Sequence, residues 1–465
     1  MTAVPVTPAV HAAPAAYVRG SVGDVVARLE RLPISRWHVK ARVIVGTATF
    51  FDGVDFLAIA YVLPILAPMW HLTPAEIGLM LSASFGGQIF SALFFGWLAE
   101  RFGRRTTIVI ATALYSLMSF GCALSWNYNS LLVMRTIQGI GLGGEVAVAI
   151  TYISEIAKAQ SRGRFMLLYE IVFPVGLVCA VLIGIWVMPL FGWQSMFVIG
   201  GLPAFLVFFI QRLLPESPRW LATRGRHAEA DAATSFIEKE VARTSGALAP
   251  VRPVALTQEP KASMWDLFGG IYLARTLSVW GMWAFCYFCN FGLATWLPTL
   301  YRTTFHLELG SALKYSLLTQ VIGLLGTLAA ALYIDRFPRR VWFGGAFFCS
   351  AAVFLWLWYA PPTDAVVLAV AGSLAYFFIS TISIGVYLYT PEIYPTRVRA
   401  LGVSTAACWS RAASFVGPNV VGFLIASSGL GAVFGGFAVS AALGGMVCAL
   451  FISETRLRVL EEVSP

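Results

Sequence analysis

Charge is what this sequence has least of. Aspartate, glutamate, lysine and arginine make up 12% of its 465 residues, where soluble domains carry roughly 25%. The mean hydropathy is +0.76. A chain so poor in charge cannot give a globule a water-compatible surface, which excludes a soluble enzyme or soluble binding module. Clustered metal ligands are missing as well: the five histidines lie in loops or tails without ligand spacing, so no catalytic constellation, cofactor or metal is expected. The seven cysteines are scattered through apolar segments, where neither a disulfide framework nor a zinc knuckle makes sense. Cys286 and Cys289, one helical turn apart, read as helix-packing residues. Residues 1–41, Pro/Ala-rich and then charged and amphipathic, hold no apolar run resembling a cleavable signal and are expected to form a cytosolic tail.

What the chain has in plenty is long apolar runs, each able to cross a hydrocarbon core of about 30 Å at about 1.5 Å per residue. They fall near 43–66, 77–99, 107–125, 130–153, 165–188 and 194–213, then near 273–300, 313–334, 341–359, 365–390, 401–426 and 430–452. The one long hydrophilic break, 214–270, holds a charged surface helix followed by a Pro-containing linker. The expected architecture is an all-α membrane protein with about twelve transmembrane helices in two pseudo-symmetric six-helix bundles. Its parts are a tail 1–41, a bundle 42–213, a cytosolic linker 214–271, a bundle 272–452 and a tail 453–465. About 28 of the 32 Lys and Arg fall on the side holding both termini and the linker, which places that side in the cytosol. The net charge of +9 therefore reports orientation in a lipid bilayer and gives no ground for nucleic-acid binding. A multi-pass protein of a bacterial inner (plasma) membrane is expected, and a monomer suffices.

The halves repeat. Gly96-Trp-Leu-Ala-Glu-Arg-Phe-Gly-Arg-Arg105 follows the second span and Asp335-Arg-Phe-Pro-Arg-Arg340 the eighth, a duplication typical of transporters. The first segment resembles the signature loop of the major facilitator superfamily, with Glu100 where Asp is commoner, and the second resembles its weaker echo. Arg135-Thr-Ile-Gln-Gly-Ile-Gly-Leu-Gly143, Pro215-Glu-Ser-Pro-Arg-Trp220, Pro391-Glu-Ile-Tyr-Pro-Thr-Arg-Val-Arg399 and Ser453-Glu-Thr-Arg456 extend the resemblance to the sugar-porter and organic-ion-transporter branch from about residue 40 to 456. It implies alternating access, with the state open to the outside latched on the cytosolic side by arginine-carboxylate pairs. The implied partners are Arg101, Arg104 and Arg105 with Glu155 and Glu216, and Arg336, Arg339 and Arg340 with Glu392 and Glu454. Glu100, Arg219, Asp335 and Arg397 complete this cytosolic gate. The plainer alternative is that these arginines only obey the positive-inside rule. Gly139, Gly141, Gly143 and Gly144 lack a strand-turn-helix context and read as close helix packing rather than a dinucleotide loop.

A charge near the bilayer centre costs at least about 2.5 to 3.5 kcal/mol, so each one needs a partner or a task. Helix rise puts Asp55 roughly 12 Å and Arg135 roughly 8 Å below the outer boundary. At similar depth they are expected to form an ion pair that a proton breaks, resembling the coupling pair of proton-linked sugar porters. A permanent structural salt bridge in a uniporter is the alternative. Asp52 shares the helix face of Asp55, and Asp52-Gly-Val-Asp55 resembles the first-span signature of aromatic-acid/proton symporters. Arg411 falls at the midplane, where an unpaired guanidinium suits a substrate carboxylate; a pairing with Asp52 or another helix competes with that reading. Glu145 and Glu170 fall nearer the cytosolic end and read as structural helix-helix contacts, with a gate role as the alternative.

Trp283, Tyr287 and Asn290 are spaced to share one face of the seventh span, with Gln320, Tyr376 and Trp409 added from other spans, a set able to stack on a flat ring. The whole chain most resembles bacterial nicotinate (niacin) permeases. The resemblance implies import of a small organic anion, an aromatic carboxylate such as nicotinate, with protons as the second partner. Hydroxybenzoate-type acids, sugars, organic cations, drug export and a non-transporting receptor remain alternatives.

Overall fold

A computed structural model describes residues 19–158, 169, 171–251 and 263–456, and among these no strand occurs. By length and hydropathy nine helices are able to cross a bilayer. Pro74–Phe102, bent by 45°, makes a tenth, and the shorter Val172–Trp186 an eleventh. Thr396–Phe451, at 56 residues, is far longer than the roughly 20 that one crossing needs and breaks at Gly429, whose φ of 79° suits glycine. That break supplies the twelfth. In chain order the spans are Arg36–Met69, Pro74–Phe102, Arg104–Ala123, Tyr128–Ile156, Val172–Trp186, Gln194–Leu213, Tyr272–Thr303, Leu309–Tyr333, Arg339–Tyr359, Ala365–Glu392, 396–428 and 430–451. Most begin or end a few residues beyond the apolar runs, because polar capping turns carry no hydropathy signal: Thr73 caps the second through Glu76, and Asn127 the fourth through Ser130. The Pro/Ala-rich start, the Pro-containing part of the linker and Glu170 lie outside the described residues.

Packing repeats between the halves. The first span lies on the fifth, the second on the fourth and the third on the sixth, mirrored by seventh on eleventh, eighth on tenth and ninth on twelfth. Small residues let the backbones touch. A Cβ built on Gly139 would stand 2.0 Å from the Ser84 carbonyl, and one on Gly53 2.5 Å from the Phe173 carbonyl. The glycine run of the fourth span therefore packs helices, as its context predicts.

Between the halves the contacts gather at the face opposite the linker. A Cβ on Gly78 would meet the Pro418 carbonyl at 2.8 Å, one on Gly422 the Pro74 carbonyl at 2.5 Å, and one on Gly184 the Leu313 side chain at 3.4 Å. Asn419 donates across this seam to Ser82 Oγ at 2.6 Å.

On the linker face, the polar break forms helices Pro218–Thr223 and His227–Ser245, and a helix Val22–Glu30 docks on them. Arg28, 4% exposed, ties this cluster: it reaches Asp24 at 3.3 Å, Asp231 at 2.5 Å and Glu238 at 2.7 Å. Arg31 meets Glu238 at 2.6 Å and Arg219 meets Glu30 at 3.2 Å. The segment read as an amphipathic tail is thus an integral part of the first half.

Candidate functional site

A cavity of about 180 Å³ lies between the halves, lined from the first, second, fourth, fifth, seventh, eighth, tenth and eleventh spans. Its end away from the linker is closed by phenylalanines from both halves. Phe291 lies 4.5 Å from Phe56 and 5.3 Å from Phe85, ring centre to ring centre.

Two opposite charges line the cavity, Asp52 and Arg411. Arg411 donates to the Ala407 carbonyl of its own helix at 3.4 Å, its buried Nε has no hydrogen-bond partner, and no ion pair to it occurs among the described residues. The charged neighbours of Asp52 are Asp55, Arg411 and Arg135. Tyr287, Asn290, Gln320 and Tyr376 also line the wall, with the Tyr376 hydroxyl donating to Asn290 Oδ1 at 3.5 Å.

Two of the expected wall residues lie elsewhere. Trp409 is 42% exposed and sits 5.6 Å from Trp280, in an apolar crevice on the outer surface of the seventh, eleventh and twelfth spans. The reason is helical phase: two residues rotate a side chain by about 200°, so Trp409 faces away from the cavity that Arg411 faces. Trp283 is fully buried one layer behind the wall, stacked on Tyr287 at 5.6 Å and packed against Tyr387 at 4.6 Å, with Nε1 donating to Thr390 at 3.0 Å.

Asp55 and Arg135 form an ion pair at 2.6 Å, with side chains 0% and 1% exposed. The pair is enclosed by the first, third, fourth and sixth spans rather than by the cavity, so Asp52 is the carboxylate that faces the cavity. Gln138 closes a ring on the pair: Arg135 Nη1 donates to its Oε1 at 2.7 Å, and its Nε2 donates to Asp55 Oδ1 at 2.9 Å. Ser119 Oγ donates to the same Asp55 oxygen at 3.1 Å. Sequence reasoning missed Gln138, although its place three residues after Arg135 on one helix face was a readable signal. It also missed the phenylalanine seal and Ser383, Ser410 and Ser414 of the wall, which carry no pattern in sequence. Glu145 is buried in the fourth span.

The linker-face motifs pair inside each half. Arg104 reaches Glu155 at 3.1 Å and Glu100 at 2.7 Å, Glu100 also meets Arg224 at 3.5 Å, and Ser217 donates to Glu155. Glu216 accepts from the Arg105 backbone N–H at 2.9 Å. In the second half Arg339 reaches Glu392 at 3.1 Å and Asp335 at 2.8 Å. Glu454 accepts from the backbone N–H groups of Arg339 and Arg340 at 3.0 and 3.5 Å, and Arg397 meets Asp266 at 3.4 Å.

One expectation needs correcting. Arg101 stacks over Trp97 and Phe102, and Arg336 over Tyr333, and among the described residues neither has a carboxylate partner. Among the described residues no ion pair joins the two bundles, and the linker-face pairs each lie within one half. The reason is connectivity: each signature turn emerges beside the ends of helices of its own bundle.

The sequence matches the sugar (and other) transporter family over residues 53–465. It belongs to that family. The niacin transporter NiaP of Acinetobacter baylyi is 34% identical over 95% of this chain and 99% of its own length. The 4-hydroxybenzoate transporter PcaK of Pseudomonas aeruginosa is 31% identical over 82% of this chain and 85% of its own. Among solved structures a D-xylose-proton symporter matches with a TM-score of 0.71 at 20% identity, covering 91% of this chain and 100% of that one. The likeness to the symporter shows the major facilitator fold. The protein is therefore a multi-pass membrane transporter of this family and not an enzyme.

Proposed function

We propose that this transporter imports a small aromatic monocarboxylate together with protons across a bacterial inner membrane, with nicotinate as the leading substrate and the linker face in the cytosol. The observation that carries the reading is Arg411, a cavity-lining guanidinium with no carboxylate partner among the described residues. A half-buried guanidinium that makes no ion pair among the described residues is free to hold a substrate carboxylate by its planar fork with two charge-assisted hydrogen bonds. Tyr287, Phe56 and Phe291 offer ring faces to a flat substrate, and Asn290 and Gln320 offer amide groups to a ring heteroatom. Two relatives named for planar aromatic acids, niacin and 4-hydroxybenzoate, agree with that chemistry.

Proton coupling follows from the two carboxylates of the first span. Asp52 faces the cavity and exchanges protons with the water in it. A proton on Asp55 cancels its attraction for Arg135 and loosens the first span from the fourth. The bundles 42–213 and 272–452 then rock about the cavity, and the braces at Glu155 and Glu392 keep each bundle rigid as it moves.

Uptake of radiolabelled nicotinate into proteoliposomes, with and without an inward proton gradient, tests both parts. Gradient-driven accumulation abolished by Arg411→Ala and by Asp55→Asn is expected. A protein that neither accumulates nicotinate nor lets it compete with other aromatic acids sinks the substrate; accumulation indifferent to the gradient sinks the coupling.

A further inference from the structure

We infer that Gln138 is a positioning residue that holds Arg135 in place while Asp55 carries a proton, an inference that rests on the proton-coupled reading above. Asp55 and Arg135 are both fully buried. For an isolated pair, a proton on the carboxylate would leave the guanidinium buried without a counter-charge, and burial would then resist protonation strongly. Gln138 changes that balance. Its Oε1 accepts from the same Nη1, at 2.7 Å, that meets Asp55 Oδ2 at 2.6 Å. When a proton from solvent bonds to Oδ2, Arg135 keeps an acceptor that does not titrate.

Arg135 has little else to fall back on: its Nε is buried without a partner, and the Asp55 carbonyl lies at 3.5 Å. Gln138 Nε2 acts in the opposite sense, since its bond to Asp55 Oδ1 favours the ionised carboxylate. That oxygen also lies 3.1 Å from Ser119 Oγ, whose one proton is shared with the Phe197 carbonyl at 2.9 Å and can turn to Asp55 when Gln138 is removed. The acceptor side therefore decides the sign. The other titratable groups around the ring are Asp52 on the first span, Cys122 and Tyr115 on the third, and Glu145 on the fourth. From the sixth span the neighbours are neutral, Phe197 and Gly200.

The test needs no substrate. An infrared pH titration of the protein in lipid, in an Asp52→Asn background, follows the carboxylic-acid stretch that Asp55→Asn removes. Gln138→Leu is expected to move its midpoint to lower pH by about one unit, a tenfold loss of proton affinity. Gln138→Glu places a second carboxylate where Nε2 now stands 2.9 Å from Asp55 Oδ1, so the two share a proton and the midpoint rises by at least as much. Opposite shifts separate positioning from a general packing defect, which would move both variants alike. Midpoints unchanged in both variants, or moved in the same direction, overturn the inference with the coupled reading intact. No titrating Asp55 band in the Asp52→Asn parent defeats the coupled reading and the inference with it.

Discussion

Replacing Arg411 by alanine removes the one cation that lines the cavity among the described residues. A guanidinium gripping a carboxylate makes two charge-assisted hydrogen bonds, each contributing about 1.5 to 3 kcal/mol. Part of that gain is offset, because Arg411 already donates to Ala407 and has Asp52 as a charged neighbour, so a net loss of about 2 to 4 kcal/mol is the reasonable range. At 1.4 kcal/mol per factor of ten, nicotinate binding should weaken roughly 30- to 1,000-fold. The sharper measurement compares nicotinate with nicotinamide, which has nearly the same shape and no charge. Wild type should prefer the acid by about the same factor, and Arg411→Ala should bind the two within a few-fold. Arg411→Lys keeps the charge without the planar fork and should fall in between. Competition against labelled substrate in proteoliposomes reads all three. If Arg411→Ala weakens acid and amide equally, Arg411 shapes the cavity and does not bind the carboxylate.

Arg28→Ala should release helix Val22–Glu30 from the linker helices at a cost of about 3 kcal/mol, since it strands buried carboxylates, and amide exchange in that helix should speed up about a hundredfold. Burial acts against the Glu238 carboxylate, but hydrogen bonds from Arg28 and Arg31 outweigh it and hold its pKa below the ordinary carboxylate value of 4.5. The same contact should therefore be at full strength above that pH and weaken as pH falls below it. Gly53→Ala drives a Cβ to 2.5 Å from the Phe173 carbonyl and should abolish uptake, whereas Gly46→Ala, whose nearest neighbour is 3.7 Å away, should transport normally. Trp409→Ala should leave the nicotinate KM within about twofold while Tyr287→Ala raises it about tenfold or more, as expected if only the second side chain stacks on substrate. In a cysteine-free background, Ser383→Cys should react with an impermeant maleimide added at the linker face and be spared from the opposite face; labelling from the opposite face alone would contradict a cavity sealed by Phe56, Phe85 and Phe291.

The spans and their pairing were legible because bilayer thickness fixes helix length and because the two halves repeat their motifs. The Asp55–Arg135 pair was legible too, since two buried charges at equal depth have few other options. What helix rise could not supply was azimuth. Asp52 and Asp55 differ by about 300° of rotation, near enough to read as one face, yet the fold turns one into the cavity and the other into the bundle. Trp409 failed for the same reason, two residues from a side chain that does line the cavity. The phenylalanine seal and the wall serines were invisible because they gain meaning only when distant spans meet.

The placement of charge also bears on how the bundles can move. On the linker face, strong ion pairs bind Arg104 to Glu155 and Arg339 to Glu392, each within one bundle, where they resist deformation and leave the bundles free of each other. On the opposite face the bundles meet through close backbone contacts, the Asn419–Ser82 hydrogen bond and three phenylalanine rings. Contacts of that kind are short-ranged and separate without stranding a charge in lipid, whereas an ion pair across the seam would cost several kcal/mol to break there. A transporter that must open this face once per cycle is better served by a dry, uncharged seal. Under the proposed coupling, a proton arriving at Asp55 would act one residue away from Phe56 of that seal.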